Sequence, residues 1–224
     1  MNKKTIAKRA ARIDSILAKM YGVKKQTRFR DPTEELILTV LSQNTNDINR
    51  DRAYESLRDK FPGWSEVASA GPDRVESAIK VGGLANIKSK RIIKILKQIN
   101  SKSSGYSLDF LKDMSDGEVW DYLSNFDGVG PKTASCVMMF ALGRDTMPVD
   151  THVHRIGIRL GLIPEEYSAE EAHVWFGELL LPVDIYQMHL NMISHGRALC
   201  RPSNPKCEQC PLKRNCLYYR KQGE

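Results

Sequence analysis

Residues 126–134, FDGVGPKTA, decide how the rest of the chain is read. Two glycines flanking Val129 make a turn that bends sharply and lets a ligand approach the backbone closely. Pro131 falls where a new helix accepts proline without losing a hydrogen bond, and the apolar run that follows, TASCVMMFAL, carries that helix onward. With a helical stretch at 116–125 before the glycines, the segment predicts two helices joined by a hairpin. Open N–H groups and the positive dipole end at the start of the second helix suit a phosphate. Gly128, Val129, Gly130 and Thr133 are the expected contacts, and they would read a phosphate backbone rather than a base sequence. Lys132, just inside the helix, has two readings: one more phosphate ligand, or a nucleophile.

Outward from the hairpin, the chain reads as helical almost throughout. Asp31-Pro32-Thr33-Glu34 supplies an N-cap, a proline at the first helical position and a glutamate three residues after the cap, opening the helix ELILTVLS. An amphipathic helix near the start carries Ile13, Ile16, Leu17 and Met20. Further helices are predicted at 46–60, 65–70, 72–80, 87–100, 107–112, 116–125, 131–142, 151–161, 169–180 and 183–198, separated by Gly and Pro turn signals. No alternating segment is long enough for a strand, so the fold class is all-α. The stretch VGGLANIKSKRIIKILKQI (81–99) repeats the grammar of a glycine turn followed by a helix with early lysines. It reads either as a second contact with a polyanion or as a capped surface helix with a solvated lysine face.

The chain has 224 residues, 41% hydrophobic and 27% charged, within the range of folded globular proteins. No apolar run approaches the roughly 20 residues of a membrane span, and no signal-peptide core follows the basic first residues. Net charge is +7, spread over the folded part rather than held in a tail, which favours a polyanionic partner.

Four of the five cysteines fall in one loop, Cys200-x6-Cys207-x2-Cys210-x5-Cys216, while Cys136 sits in an apolar helix and reads as core. The crowding and the odd count argue for a bound metal over a disulfide framework. Four thiolates from one short segment suit an iron–sulfur cluster or a structural zinc. The presence of only one Cys-x2-Cys pair favours iron–sulfur over the two knuckles usual for zinc. Arg201, Lys206, Lys213 and Arg214 in the same loop would offset the cluster's negative charge. His152, His154 and His195 could suggest a metal site, but positions 152 and 154 diverge on a helix and the cysteines already account for a metal, so His152 and His195 read as packed or hydrogen-bonded. Asp150 follows Met147-Pro148-Val149 and stands where a helix N-cap belongs. An amine at 132 and a carboxylate at 150 facing one cleft would make a catalytic pair.

GVGPKTA, VDTHVHRI, HGRALC and the four-cysteine loop occur together in an order and spacing that resemble the endonuclease III family of helix-hairpin-helix DNA glycosylases. GGLANIKSKRII resembles that family's lesion-side loop. The resemblance runs from about residue 33 to the last cysteine. It implies a six-helix barrel domain over 30–144, and an iron–sulfur cluster domain built from 1–29 and 145–224. It further implies a [4Fe-4S] cluster on Cys200, Cys207, Cys210 and Cys216, with double-stranded DNA carrying a damaged base or abasic site as the partner. Lys132 matches the family's Schiff-base lysine and Asp150 its catalytic aspartate, which implies a bifunctional glycosylase/AP lyase acting on oxidised pyrimidines. Gly83, Leu84 and Lys88 become DNA-contact expectations by the same match. The segment VLSQNTND (40–47) departs from the family pattern: an ungapped match places Asn44 on the glutamine that fills the duplex gap, while Gln43 stands beside it. Two alternatives stay open, a uracil or thymine mismatch glycosylase on the same scaffold and a non-catalytic hairpin protein with structural zinc. Only eight residues follow Cys216, which disfavours an adenine-specific relative carrying a further domain; a cytoplasmic, nucleoid-associated monomer is expected.

Overall fold

The computed structural model describes residues 2–179 and 181–222. Its first helix, α1 (Lys3–Tyr21), opens on Asn2, whose side chain accepts the Lys4 N–H, and buries Ile6, Ala10, Ile13 and Leu17 at helical spacing. In α2 (Pro32–Ser42) the Asp31 carboxylate accepts from the Glu34 N–H at 2.9 Å with proline in the first turn, as the DPTE signature predicts. Nearly every residue of α2 is buried, so this short helix runs through the middle of its unit.

The chain continues through α3 (Asp47–Lys60), α4 (Trp64–Ser69), α5 (Pro72–Ile79) and the long α6 (Ala85–Lys102). It then passes through α7 (Asp116–Ser124), α8 (Pro131–Phe140), α9 (Thr151–Arg159), α10 (Ala169–Gly177), α11 (Ile185–Ala198) and α12 (Leu217–Lys221). Among the described residues there is no strand, and the architecture is all-α as expected. Most differences lie at element ends, and α12 is a short helix that the sequence pattern does not predict. The helix expected at 107–112 is a 3-10 segment, Asp109–Asp113. The one expected over 151–161 stops at Arg159, where Gly161 turns the chain with φ +63°. The expectation for 169–180 extends to Leu180, outside the described residues, and α10 ends at Gly177.

The chain divides into two units, residues 29–144 and residues 1–28 with 145–224. In the first, α2 packs against α8, α3 and α6, and α5 packs on α6. Leu36, Ile37, Val40, Leu41, Leu57, Ile92, Leu96, Leu123 and Val137 meet in its core. Each such side chain contributes about 1.5–3 kcal/mol by leaving water. In the second unit α1 and α9 lie against α11, and α10 and α12 pack on α9. Cys136 is buried in α8, as its apolar setting predicts. No helix among the described residues is long and apolar enough to cross a membrane.

Candidate functional site

The hairpin forms from α7, the turn 125–130 and α8. Gly128 takes φ +73° and is exposed, as is Gly130, the N-cap of α8. Gly130 gives the first turn no side-chain cap, and no group among the described residues accepts from the Gly130 or Lys132 N–H. These open donors at a helix N-terminus are the local condition for holding an anion. Two of the expected contacts turn inward. Val129 and Thr133 have buried side chains, and the Val129 N–H already donates to Phe126 O at 3.1 Å. The groups the hairpin leaves open are main-chain ones around Gly128 and Gly130.

Lys132 is half-buried in the first turn of α8. Across from it, α2 carries a carboxylate that sequence reasoning passed over. Glu35 is buried, its Oε2 accepting from Arg30 Nη1 at 2.8 Å and its Oε1 from Thr39 Oγ1 at 3.1 Å. Burial raises its pKa; the Arg30 hydrogen bond and charge, Thr39 and the charge of Lys132 work the other way. The signal was there to find, since Glu35 sits beside the apolar run Leu36–Leu38 of α2.

The turn after α2 presents Asn44, exposed and at φ 51°. Gln43 is held instead: its Nε2 donates to Gly128 O at 3.0 Å, and its Oε1 accepts from Arg91 Nη1 at 2.7 Å. The loop before α6 likewise presents Leu84, 49% exposed and at φ 50°. An exposed leucine in left-handed backbone is strained, a state that persists where the surrounding fold imposes it. Gly83 beside it is exposed with φ +68°. Lys88, expected to meet DNA, points inward. It is 1% exposed, with Nζ donating to Leu41 O at 2.7 Å and Gly82 O at 2.9 Å. Its ammonium ties the root of the 43–44 turn to the 82–84 loop and is out of reach of a phosphate; burial lowers its pKa.

In the other unit Asp150 caps α9, its Oδ1 accepting the Val153 N–H at 2.7 Å. No group among the described residues donates to the second carboxylate oxygen. The half-buried carboxylate is thus oriented at one atom and open at the other.

Cys200, Cys207, Cys210 and Cys216 are unbridged and line one cavity with Arg159, His195 and Lys206. Arg159 Nη1 approaches Cys200 Sγ at 3.3 Å. His195 is buried between Tyr21 Oη (3.0 Å from Nδ1) and Cys210 Sγ (3.5 Å from Nε2), and burial pushes its pKa down to about 4. It is neutral near pH 7, packed and hydrogen-bonded as the sequence predicts. Burial, followed by the charges of neighbouring cysteines, raises the Cys210 thiol to about 11, and burial raises Cys216 and Cys207. Cys207, Cys210 and Cys216 thus each resist ionising without a compensating cation nearby. Among the described residues no three Cys, His, Asp or Glu side chains are drawn into ligating geometry. The donor chemistry and the shared cavity nonetheless fit an all-thiolate metal group.

An exposed-glycine turn between two helices, with a lysine in the first turn of the second, makes this an all-helical helix-hairpin-helix protein. Residues 37–178 match the family model described as HhH-GPD superfamily base excision DNA repair protein, and the chain belongs to that superfamily, in its endonuclease III family. Endonuclease III of Thermotoga maritima is 37% identical over 199 residues, 87% of this chain and 86% of that one. A non-covalent endonuclease III–DNA complex superposes with a TM-score of 0.80 at 27% identity, over 100% of this chain and 99% of that one. A trapped endonuclease III–DNA covalent intermediate matches with the same TM-score and identity over the whole of both chains.

Proposed function

We propose that this chain is a bifunctional DNA glycosylase/AP lyase of base excision repair, with Lys132 as nucleophile and Asp150 as its partner carboxylate. The observation that carries the reading is the hairpin: open N–H donors at the start of α8 with an amine one residue inside. The full-length likeness to a trapped covalent endonuclease III–DNA intermediate supports it. The substrate is double-stranded DNA, its damaged nucleotide turned out of the stack at a cost of a few kcal/mol, least for a weakened pair. Asn44 would fill the vacated space, because Gln43 is already bonded at both ends of its amide, and Leu84 would wedge the lesion side. Oxidised pyrimidines are the expected lesions, and the nucleoid the expected place of action.

As the glycosidic bond breaks, its electron pair leaves with the base, and the open oxygen of Asp150 stabilises the positive charge on the sugar. The Lys132 amine bonds to C1′, the C1′–O4′ bond breaks as the amine's proton passes to O4′, and the resulting iminium accepts the electrons released when a C2′ proton departs. The C3′–O bond then breaks, leaving the strand nicked 3′ to the lesion. Cys200, Cys207, Cys210 and Cys216 would hold a [4Fe-4S] cluster, which when bound cross-links the loop; four thiolate ligands leave no open position for Lewis-acid chemistry.

Borohydride trapping on a panel of damaged duplexes tests the assignment. A covalent adduct that disappears in Lys132→Gln is expected. Asp150→Asn should abolish base release while nicking of a preformed abasic site survives. Equal loss of both steps in Asp150→Asn would contradict the division of roles.

A further inference from the structure

Two cations three residues apart on α6, Lys88 and Arg91, brace the loops that present Asn44, Leu84 and the hairpin. Lys88 joins Leu41 O to Gly82 O, as described above. Arg91 Nη1 donates to Gln43 Oε1 at 2.7 Å, and Gln43 Nε2 donates to Gly128 O at 3.0 Å. The amide orientation follows from chemistry: a guanidinium only donates, so it must meet the oxygen, which leaves the nitrogen for the carbonyl. The guanidinium also lies flat against Gly128, where an added Cβ would stand 1.9 Å from Arg91 Cζ. Arg91 Nε is buried without a hydrogen-bond partner, so the side chain is held by this one contact set.

We propose that Arg91 is a positioning residue that, through Gln43, locks the Gln43–Asn44 turn onto the hairpin, so that the gap-filling side chain and the phosphate grip engage DNA as one rigid surface. The proposal rests on the DNA-glycosylase reading above. It explains why Gln43 is not the gap-filler: entering the duplex would break a charge-assisted hydrogen bond and a second bond to Gly128 O. It also gives Asn44 a fixed root one residue away from its exposed tip.

The test measures binding of wild type, Arg91→Gln, Gln43→Ala and the double variant to two duplexes. One carries a tetrahydrofuran abasic analogue opposite 2-aminopurine; the other is undamaged. Each single variant should weaken binding to the abasic duplex roughly tenfold, the size of one charge-assisted hydrogen bond. Binding to the undamaged duplex should stay within about twofold, and the double variant should be no worse than either single one. The 2-aminopurine signal that reports insertion opposite the gap should be lost in all three, and Arg91→Lys, able to donate one bond, should recover part of it. Additive losses, equal losses on both duplexes, or unchanged variants would overturn the proposal. Should Arg91→Gln not fold, as judged by melting, Arg91→Lys and Gln43→Ala carry the same comparison. A wild type that does not prefer the abasic duplex would instead overturn the parent reading.

Discussion

At the scale of single residues, Gly128 meets two demands at once. Its φ of +73° disfavours any side chain, and a Cβ there would collide with the Arg91 guanidinium. Gly83, at φ +68°, has nothing within 4 Å of the same atom. Alanine at either position incurs backbone strain of about 1–3 kcal/mol. Only Gly128→Ala should also displace Arg91, so it should lower the melting temperature further than Gly83→Ala does, and it should weaken duplex binding. Melting and fluorescence anisotropy on the two variants check the contrast. The hairpin was legible in FDGVGPKTA because glycine and proline restrict the backbone directly. Arg91 was not, since a lone arginine in KSKRII resembles a solvated face until its partner 48 residues away is known.

At the scale of elements, α6 depends on a buried ammonium. Replacing Lys88 with methionine leaves Leu41 O and Gly82 O without donors, each buried unsatisfied group costing about 1–3 kcal/mol. Chemical denaturation of Lys88→Met should show a loss of that order. The pH dependence has a definite sign. Burial holds the folded-state pKa below 10.5, so between the two values the unfolded chain binds more protons. The penalty is fully present below the lowered value and fades as pH rises toward 10.5. Wild type should therefore gain stability relative to Lys88→Met on going from neutral pH to about pH 10, and denaturation at the two pH values reads the gain. Lysine spacing alone cannot reveal this inward turn, because a lysine in a first helical turn usually faces water. Caps were easier to foresee: Asp31 and Asp150 accept the N–H groups three residues on, as their sequence settings predict. The 107–112 segment was misread because its apolar residues fit a 3-10 segment as well as an α-helix.

At the scale of the whole molecule, the +7 charge and the hairpin make duplex binding a salt-dependent grip. For about four phosphate contacts, a fourfold rise in salt should weaken affinity on the order of a hundredfold. A salt titration showing no such slope would remove the phosphate reading. Iron and acid-labile sulfide in the purified protein, lost in Cys210→Ser, are expected; zinc in their place would exclude the [4Fe-4S] assignment. The cysteine spacing points to a metal because thiols rarely crowd a polar loop, yet nothing in the periodicity of α1 names α11 as its mate. That pairing has a consequence for synthesis. Helix α1 is synthesised well before α11, the segment it covers, which follows roughly 160 residues later, an interval on the order of ten seconds at cellular translation speed. Throughout that wait its apolar stripe has no native cover, and residues 29–144 emerge with time to fold before the two ends of the chain meet. A message truncated before α11 would therefore release a chain with a sticky, unclaimed first helix, a natural target for chaperones and proteases.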